Sequence, residues 1–582
     1  MKFTAKPQIY YPLAACLLII LGWLPFLLKS SDVPANTDWY SILQFYEAAR
    51  IDIVKYGQFP FWNPWHYGGT PLFCRPQMGI FSLEMLFSLI FGTMPGIPLA
   101  MVLYAIFGAL GMWFFSGDYI ENPQIRFWSM LLFGLQGTIA IHIAGGHIVM
   151  ASIGWLPWLI YFALRISRSF SSSMWLGVCA GLMINQTIHY LSFIMCPIVA
   201  VFVLVQFYKA QNRCVAAKNL FGSFLIFGSL ASFRLITAWG VLKYYQRIVP
   251  YHATISPVDF LKALVWPGQT CTSFYPAPVP GWWNWTEMGC YVGIIAILLF
   301  IWSFYKELRW WHWGFFLTFP LVIDSSFQFL PGYWLRELPG FRSLWVITRW
   351  RFFAVFFIII GAARGLELLL PVFKQKYRWA LVIIISISYI GLLYNQYINW
   401  QSYKVKKHDF YSSDIKLNGN PVVSTKNNQW NQYAATRKGV AMIFAYEPIL
   451  GYKSYYKVRS LRIPVESKKY AGEIWSAQGR PFKYKWTPNE ITIKSSVQNV
   501  ILINQNPGSC WRVDGQAIFP KYLPFETQKM FALNISPGEE YKIYVRPANF
   551  ETALIVNSLF LLALVIFLRF FRDYGQAVSS SS

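Results

Sequence analysis

The sequence predicts a polytopic α-helical membrane protein with a small β-domain near its C-terminal end. Three observations predict it. About a dozen apolar runs occupy positions 10–397 and one more occupies 551–571, most of them near the roughly 20 residues that a helix needs to cross the hydrocarbon core. Of the 582 residues, 55% are hydrophobic and 19% aromatic, more than soluble domains carry. Between 398 and 550 the apolar runs shorten to strand length and alternate with polar residues.

Charge and cysteine content narrow the class further. The formal net charge is +25, from 50 Lys+Arg against 25 Asp+Glu. These cations are spread over short loops and form no dense basic domain, which excludes nucleic acid as a partner. They fit the positive-inside rule and contact with anionic membrane lipids. The eight cysteines show no CxxC or Cys/His metal spacing. Cys271 and Cys290 share one loop, and they are the pair that an extracytoplasmic loop would allow to bridge.

Loop charges then order the spans. Lys2 and Lys6 place the N-terminus in the cytoplasm, as do the basic stretches at 165–168, 209–218, 306–309, 374–378 and 569–572 for their own loops. These anchors are met together by about twelve spans, near 10–28, 97–117, 127–144, 149–167, 174–188, 191–208, 219–240, 288–305, 310–330, 349–370, 379–397 and 551–571. The first run is longer than a signal-peptide core and lacks a small-residue cleavage site, so it reads as a retained anchor. Residues 80–93 are short and carry a central Glu84, which suits a surface or re-entrant helix and no span.

The expected organisation is a transmembrane domain over 1–397 with a large first external loop at 29–96, an extracytoplasmic β-sandwich over 398–550, and a last span with a cytoplasmic tail over 551–582. Strands are expected in EITIKSS (490–496), NVILINQ (499–505), KMFALNI (529–535) and YKIYVR (541–546). Turns at Asn506-Pro507-Gly508, Asp514-Gly515 and Pro537-Gly538 separate them. Both termini are then cytoplasmic, and the polar loops gather on the outer face.

That face holds the candidate residues. Asp38 lies about ten residues past the first span and precedes a helix over Trp39–Tyr56 and a Pro/Gly/Trp-rich turn at 60–71. It reads either as the N-cap of that helix or as a general base at the depth of a lipid headgroup. His147, after Gly145-Gly146, is a turn residue or a ligand contact where backbone approaches closely. His66 and His189 are substrate contacts or hydrated interfacial residues, and Glu287 would orient an acceptor or assist a metal. Arg349 and Arg351 are helix-end arginines that either snorkel to the interface or bind phosphate through their guanidinium forks. The aromatics of 274–291 read as an interfacial belt or as sugar-stacking rings. Arg234 and Asp324 lie within apolar spans, where a charge usually faces a cavity.

Several motifs in order resemble YfhO-like bacterial membrane proteins of the GT-C glycosyltransferase superfamily. In the first loop, Asp38 is followed by Gln44, then Gly57-Gln58-Phe59-Pro60-Phe61-Trp62-Asn63-Pro64 and Gly69-Thr70-Pro71. Gly146-His147 with Trp155-Leu156-Pro157, then Glu287-Met288-Gly289-Cys290-Tyr291-Val292-Gly293, then Leu338-Pro339-Gly340-Phe341-Arg342-Ser343-Leu344 with Arg349 and Arg351 continue the likeness. Asn506-Pro507-Gly508-Ser509-Cys510-Trp511-Arg512-Val513-Asp514-Gly515 is similar to the family's terminal hairpin, with Ser509-Cys510 inserted. The family's Gly-His-Pro-Gln turn has only Thr187-Ile188-His189-Tyr190 as its counterpart.

The resemblance implies inverting sugar transfer from a polyprenyl-phosphate donor to a cell-surface glycan, polymer or lipid, on the outer face of the bacterial cytoplasmic membrane. Asp38 would be the base. Arg342, Arg349 and Arg351 would bind the donor phosphate, and Gln44, His66, His147, His189 and Glu287 would contact substrate. No cofactor is indicated: some GT-C relatives use a divalent cation, but the first loop has no paired acidic motif to fix one. A lipid or glycan transporter or flippase, and a non-catalytic envelope assembly protein, are the alternatives. A transporter would be expected to show repeat halves and broken helices at the bilayer midplane.

Overall fold

A computed structural model describes residues 7–29, 37–66, 69–188, 190–242, 255–271, 285–323, 347–372 and 377–402. Beyond these it describes 422–424, 432–437, 440–442, 468, 472–476, 478, 483–494, 499–505, 510–513, 516–517, 531–547 and 549–580. The described residues are mostly helical (72%), with a small sheet region toward the C-terminus. Seven helices among the described residues are long and apolar enough to cross a membrane: Ile9–Leu28, Thr93–Ser116, Pro123–Ala144, Arg213–Gly240, Thr348–Val372, Trp379–Gln401 and Phe550–Arg569. The apolar helices Ile148–Ala163, Ile194–Tyr208 and Ile294–Lys306 are shorter.

The helices are least regular where the sequence mixes glycine with polar side chains. The run expected as one helix over 127–144 is two, Pro123–Gly134 and Gly137–Ala144. Neighbours satisfy the backbone groups that the break releases, as a protein in lipid requires: Gln396 Nε2 donates to Leu135 O at 3.1 Å, and Gly137 N donates to Tyr291 O at 2.9 Å. The helix expected from 288 starts only at Ile294. Met288 N and Gly289 N donate to Trp285 O, whereas Cys290 N donates to Gln269 Oε1 and Val292 N and Gly293 N both donate to Leu264 O, so residues 290–293 are bonded to the 257–271 segment. Gly293 sits at φ +95°, a left-handed conformation that suits glycine. Cys271 and Cys290 are both buried and unbridged.

The short helix Leu83–Phe91 is amphipathic, as its length and Glu84 suggest, but Glu84 faces inward. Its carboxylate accepts from Tyr104 Oη at 3.1 Å and from Gln186 Nε2 at 3.0 Å, while Ile90 and Phe91 stay exposed on the opposite side. Arg234 is buried and donates from Nη2 to the carbonyls of Arg75 and Met78, which ties the return of the first loop to the bundle. Asp324 lies outside the described residues.

Alternating segments form the sheets. One antiparallel sheet runs in the order Gln516–Ala517, Trp511–Val513, Glu540–Val545, Glu490–Lys494, Tyr484–Thr487. The other runs Phe531–Ile535, Asn499–Ile503, Ile474–Ser476. Period-2 burial follows the sequence pattern in Glu490–Lys494 and Glu540–Val545, with Ile491, Ile493, Ile543 and Val545 inside, whereas Ile501, Leu502 and Ile503 are all buried.

These sheets are fastened to the first loop. Trp62 N donates to Asn489 Oδ1 at 3.0 Å, Asn489 Nδ2 to Phe59 O at 2.7 Å, and Trp62 Nε1 to Gln505 Oε1 at 3.0 Å. The Trp62 and Trp511 rings meet edge to face at 5.3 Å. Direct contact thus joins these strands to the first loop.

Helix Arg351–Leu369 packs against Ile294–Lys306 through Gly365, where any Cβ would overlap the Leu299 carbonyl. Close backbone approach of this kind drives helix association in lipid. Gly365→Val is expected to lower stability by about 2–3 kcal/mol through forced separation of the pair. Thermal unfolding in detergent checks this, and an unchanged midpoint would show that the contact is dispensable.

Candidate functional site

Four separate pieces of chain converge on one polar cluster. The first is the head of helix Thr37–Tyr56, which carries Asp38 in its first turn. The helix begins at Thr37, so Asp38 is inside it and not its N-cap, and the free N–H groups of that turn favour a negative side chain there. The second is the turn after Gly137–Ala144, with His142 in the helix and His147 beyond it. The third is the turn Trp285–Glu287, and the fourth is the entry to helix Arg351–Leu369.

Glycine lets the pieces touch. Gly146 has φ +92°, and a Cβ on it would lie 2.6 Å from Trp39 N and 2.8 Å from Asp38 Cβ. On the other side, a Cβ on Gly145 would lie 2.7 Å from Thr286 Cγ2. Trp39 Nε1 donates to Ile143 O at 2.9 Å, and Thr348 Oγ1 donates to Glu287 O at 3.0 Å, so each joint carries its own hydrogen bond.

The polar contacts form a branched line. His147 Nε2 is 2.7 Å from Asp38 Oδ2, His147 Nδ1 is 2.9 Å from His142 Nδ1, and His142 Nε2 is 2.6 Å from Arg351 Nη2. Arg351 also donates from Nε to Gly289 O and from Nη2 to Thr286 O, both at 3.0 Å. Glu287 takes the Arg349 fork in two bonds, Nη2 to Oε1 at 2.6 Å and Nε to Oε2 at 3.1 Å, and its Oε1 is 3.6 Å from His147 Nδ1. Side-chain exposure falls from 25% at Asp38 and 20% at His147 to 10% at Glu287 and 7% at Arg349. Access is therefore from the Asp38 end.

Burial alone would push the Glu287 carboxyl up. The guanidinium of Arg349, with that of Arg351 behind it, outweighs burial and holds the group at about 2. His142, His147 and Glu287 offer three ligand atoms within 4.8 Å of one another, the spacing of a divalent-cation site.

Of the residues singled out in the sequence, Asp38, His147, Glu287, Arg349 and Arg351 meet in this cluster. Neither arginine snorkels: Arg349 is 6% and Arg351 0% exposed. Gln44 and His66 do not join them in any contact among the described residues. Gln44 is fully buried, bonded to Asn63 and Thr436, and so fixes the first loop instead of presenting surface to a ligand. His66 is 1% exposed, edge-on to Phe45 at 5.0 Å, and burial assisted by nearby Arg75 holds its imidazole well below the usual range. Arg342 and His189 lie outside the described residues, as do the aromatics of 272–284. Trp285 packs edge to face on Trp266 at 5.3 Å.

The sequence reading missed His142. Its signal was present, an ionisable residue inside the apolar run GTIAIHIA, and the rule that drew attention to Arg234 applies equally to it. Comparison with protein families, with curated proteins and with solved structures finds no match for this chain.

Glu287→Gln removes the carboxylate that takes both arms of the buried Arg349 fork, which is expected to cost about 3 kcal/mol at pH 7. The folded carboxyl is depressed, so its contribution is present above about 4.5 and is lost as pH falls toward about 2. Unfolding of both proteins across that window checks this: the gap should narrow as the solution is acidified, and a constant gap would contradict the pairing.

Proposed function

We propose that the chain is an inverting glycosyltransferase of the GT-C kind. It moves a sugar from a polyprenyl-phosphate donor to a cell-surface glycan, polymer or lipid on the outer face of the bacterial cytoplasmic membrane. In this reading about twelve helices span the membrane, both termini are cytoplasmic, and the two sheets form an extracytoplasmic β-sandwich. The observation that carries the proposal is the Asp38 carboxylate, hydrogen-bonded to His147 at the accessible end of a cluster whose buried end is cationic.

The chemistry follows from that polarity. Asp38 accepts the proton of the acceptor hydroxyl as its oxygen attacks the anomeric carbon. The bond from that carbon to the phosphate oxygen breaks, and the lipid phosphate leaves with the electron pair. Such a leaving group needs positive charge and no protonating acid.

The described cluster holds two guanidiniums, Arg349 and Arg351, against two carboxylates, Asp38 and Glu287, and is formally neutral. The donor phosphate therefore needs a further cation, which we assign to Arg342, seven residues before Arg349. Arg349 then serves the phosphate through the charge it retains beside Glu287.

A second reading has one observation in its favour. A line of Asp, His, His and Arg that runs from an accessible end into the buried interior also suits a proton-coupled transporter of lipids or glycans. Substrate turnover separates the two, because a transporter leaves the glycosidic bond intact.

Asp38→Asn is expected to reduce sugar transfer at least about 100-fold, with normal membrane insertion. Full activity of that variant, assayed with a polyprenyl-phosphate sugar and membrane extracts, would remove Asp38 as the base. Arg342→Ala is expected to raise the donor KM about tenfold with little change in kcat. An unchanged donor KM would reassign that arginine to structure.

A further inference from the structure

We propose that Arg351 and His142 are positioning residues that fix every proton on the line leading to Asp38, so that Asp38 meets the acceptor hydroxyl as a bare carboxylate. This inference rests on the reading of Asp38 as the base.

The argument starts from the one group on the line with no choice. A guanidinium only donates, and it keeps its protons at any ordinary pH. Its Nη2 lies 2.6 Å from His142 Nε2, so that nitrogen is the bare acceptor. A neutral imidazole has one N–H, and that of His142 is therefore on Nδ1.

This Nδ1 faces His147 Nδ1 at 2.9 Å, a distance that needs one donor and one acceptor. His142 supplies the proton, so His147 Nδ1 is bare and its proton is on Nε2. That N–H points at Asp38 Oδ2 across 2.7 Å. With the opposite tautomer, His147 would turn a lone pair to Asp38, a contact satisfied only by a carboxyl already carrying a proton. Such a carboxyl is no base. One guanidinium thus sets the proton pattern at the accessible end, two rings away.

The rings are held against turning over. His142 is fully buried and stacks on Phe352 at 5.2 Å and 27°. The main-chain N of His147 donates to His142 O at 2.9 Å, which fixes the spacing of the two rings. The bonds of Arg351 to Gly289 O and Thr286 O stop the guanidinium from swinging away.

The same geometry bears on a divalent ion between His142, His147 and Glu287. His147 would suit it, since metal-bound histidines commonly donate their other N–H to a carboxylate. His142 would not. Bound through Nδ1 it would carry its proton on Nε2, where two N–H groups would face each other across 2.6 Å. The shared proton occupies the place that the ion would take.

The test is the ring-nitrogen NMR spectrum of the full chain in lipid nanodiscs, labelled with nitrogen-15 at its seven histidines. His142→Gln and His147→Gln assign the two rings by difference. The expected result is a protonated Nδ1 with a bare Nε2 for His142, the tautomer that free histidine favours less, and the reverse for His147. In Arg351→Met the His142 proton should move to Nε2, and in Arg351→Lys, which keeps a donor there, it should not. A wild-type His142 protonated on Nε2 overturns the proposal without any variant having to fold. So does one zinc or manganese ion per chain retained after dialysis, with both Nδ1 atoms bare.

Transfer assays add a second readout. His142→Phe should lose about 100-fold in kcat with donor KM unchanged. His142→Gln, whose amide keeps one donor and one acceptor, should recover most of that loss. Equal losses in both variants count against positioning through hydrogen bonds. If the wild-type protein transfers no sugar, the function assigned above fails, while the tautomers still decide whether Arg351 sets the line.

Discussion

Charge pairing that runs from an accessible carboxylate into a buried interior is the constraint on which this molecule turns. Glu287, Arg349 and Arg351 are buried among apolar helices, where an unpaired charge would cost several kcal/mol, and Asp38 stands at their accessible end. Each is matched: Glu287 takes both arms of the Arg349 fork, and Arg351 reaches Asp38 through two imidazoles.

The helices break where the cluster forms. A regular helix through 127–147 would keep His142 and His147 on a single rod, with no room for the head of the Thr37–Tyr56 helix. The break at Leu135-Gln136 and the Gly145-Gly146 turn bring the helix end against Trp39 and Asp38, and Gln396 and Tyr291 satisfy the groups so released. Nearby, residues 290–293 bond to the 257–271 segment instead of continuing a helix, and the Thr286 and Gly289 carbonyls face Arg351. The first loop is held from its far side by the sheets, through Trp62, Asn489 and Gln505. The first loop is thus bonded both to the helical bundle and to the C-terminal strands.

Much of this was legible in the sequence, for reasons that differ by element. Apolar runs of span length and period-2 strands leave signals within a single window, and the segments at 490–494, 499–503, 531–535 and 540–545 lie where alternation puts them. Asp38, His147, Glu287, Arg349 and Arg351 stood out as polar groups at the ends of apolar runs. What a window does not contain is the partner. Glu287 and Arg349 pair across 62 positions, and Asp38 and His147 across 109. His142 escaped notice inside an apolar stretch, Gln44 and His66 proved to be buried in loop architecture, and the late start at Ile294 depended on a glycine bonded to a distant carbonyl.

The most direct test of the whole account is a structure of the full chain in lipid nanodiscs with a non-transferable polyprenyl-phosphate sugar analogue. The account predicts the anomeric carbon within about 4 Å of the oxygen of an acceptor hydroxyl placed against Asp38, with the phosphate between Arg342 and Arg349 on the side of the bilayer that carries the first loop. An analogue bound elsewhere, or Asp38 and Arg342 on opposite sides of the membrane, would contradict it.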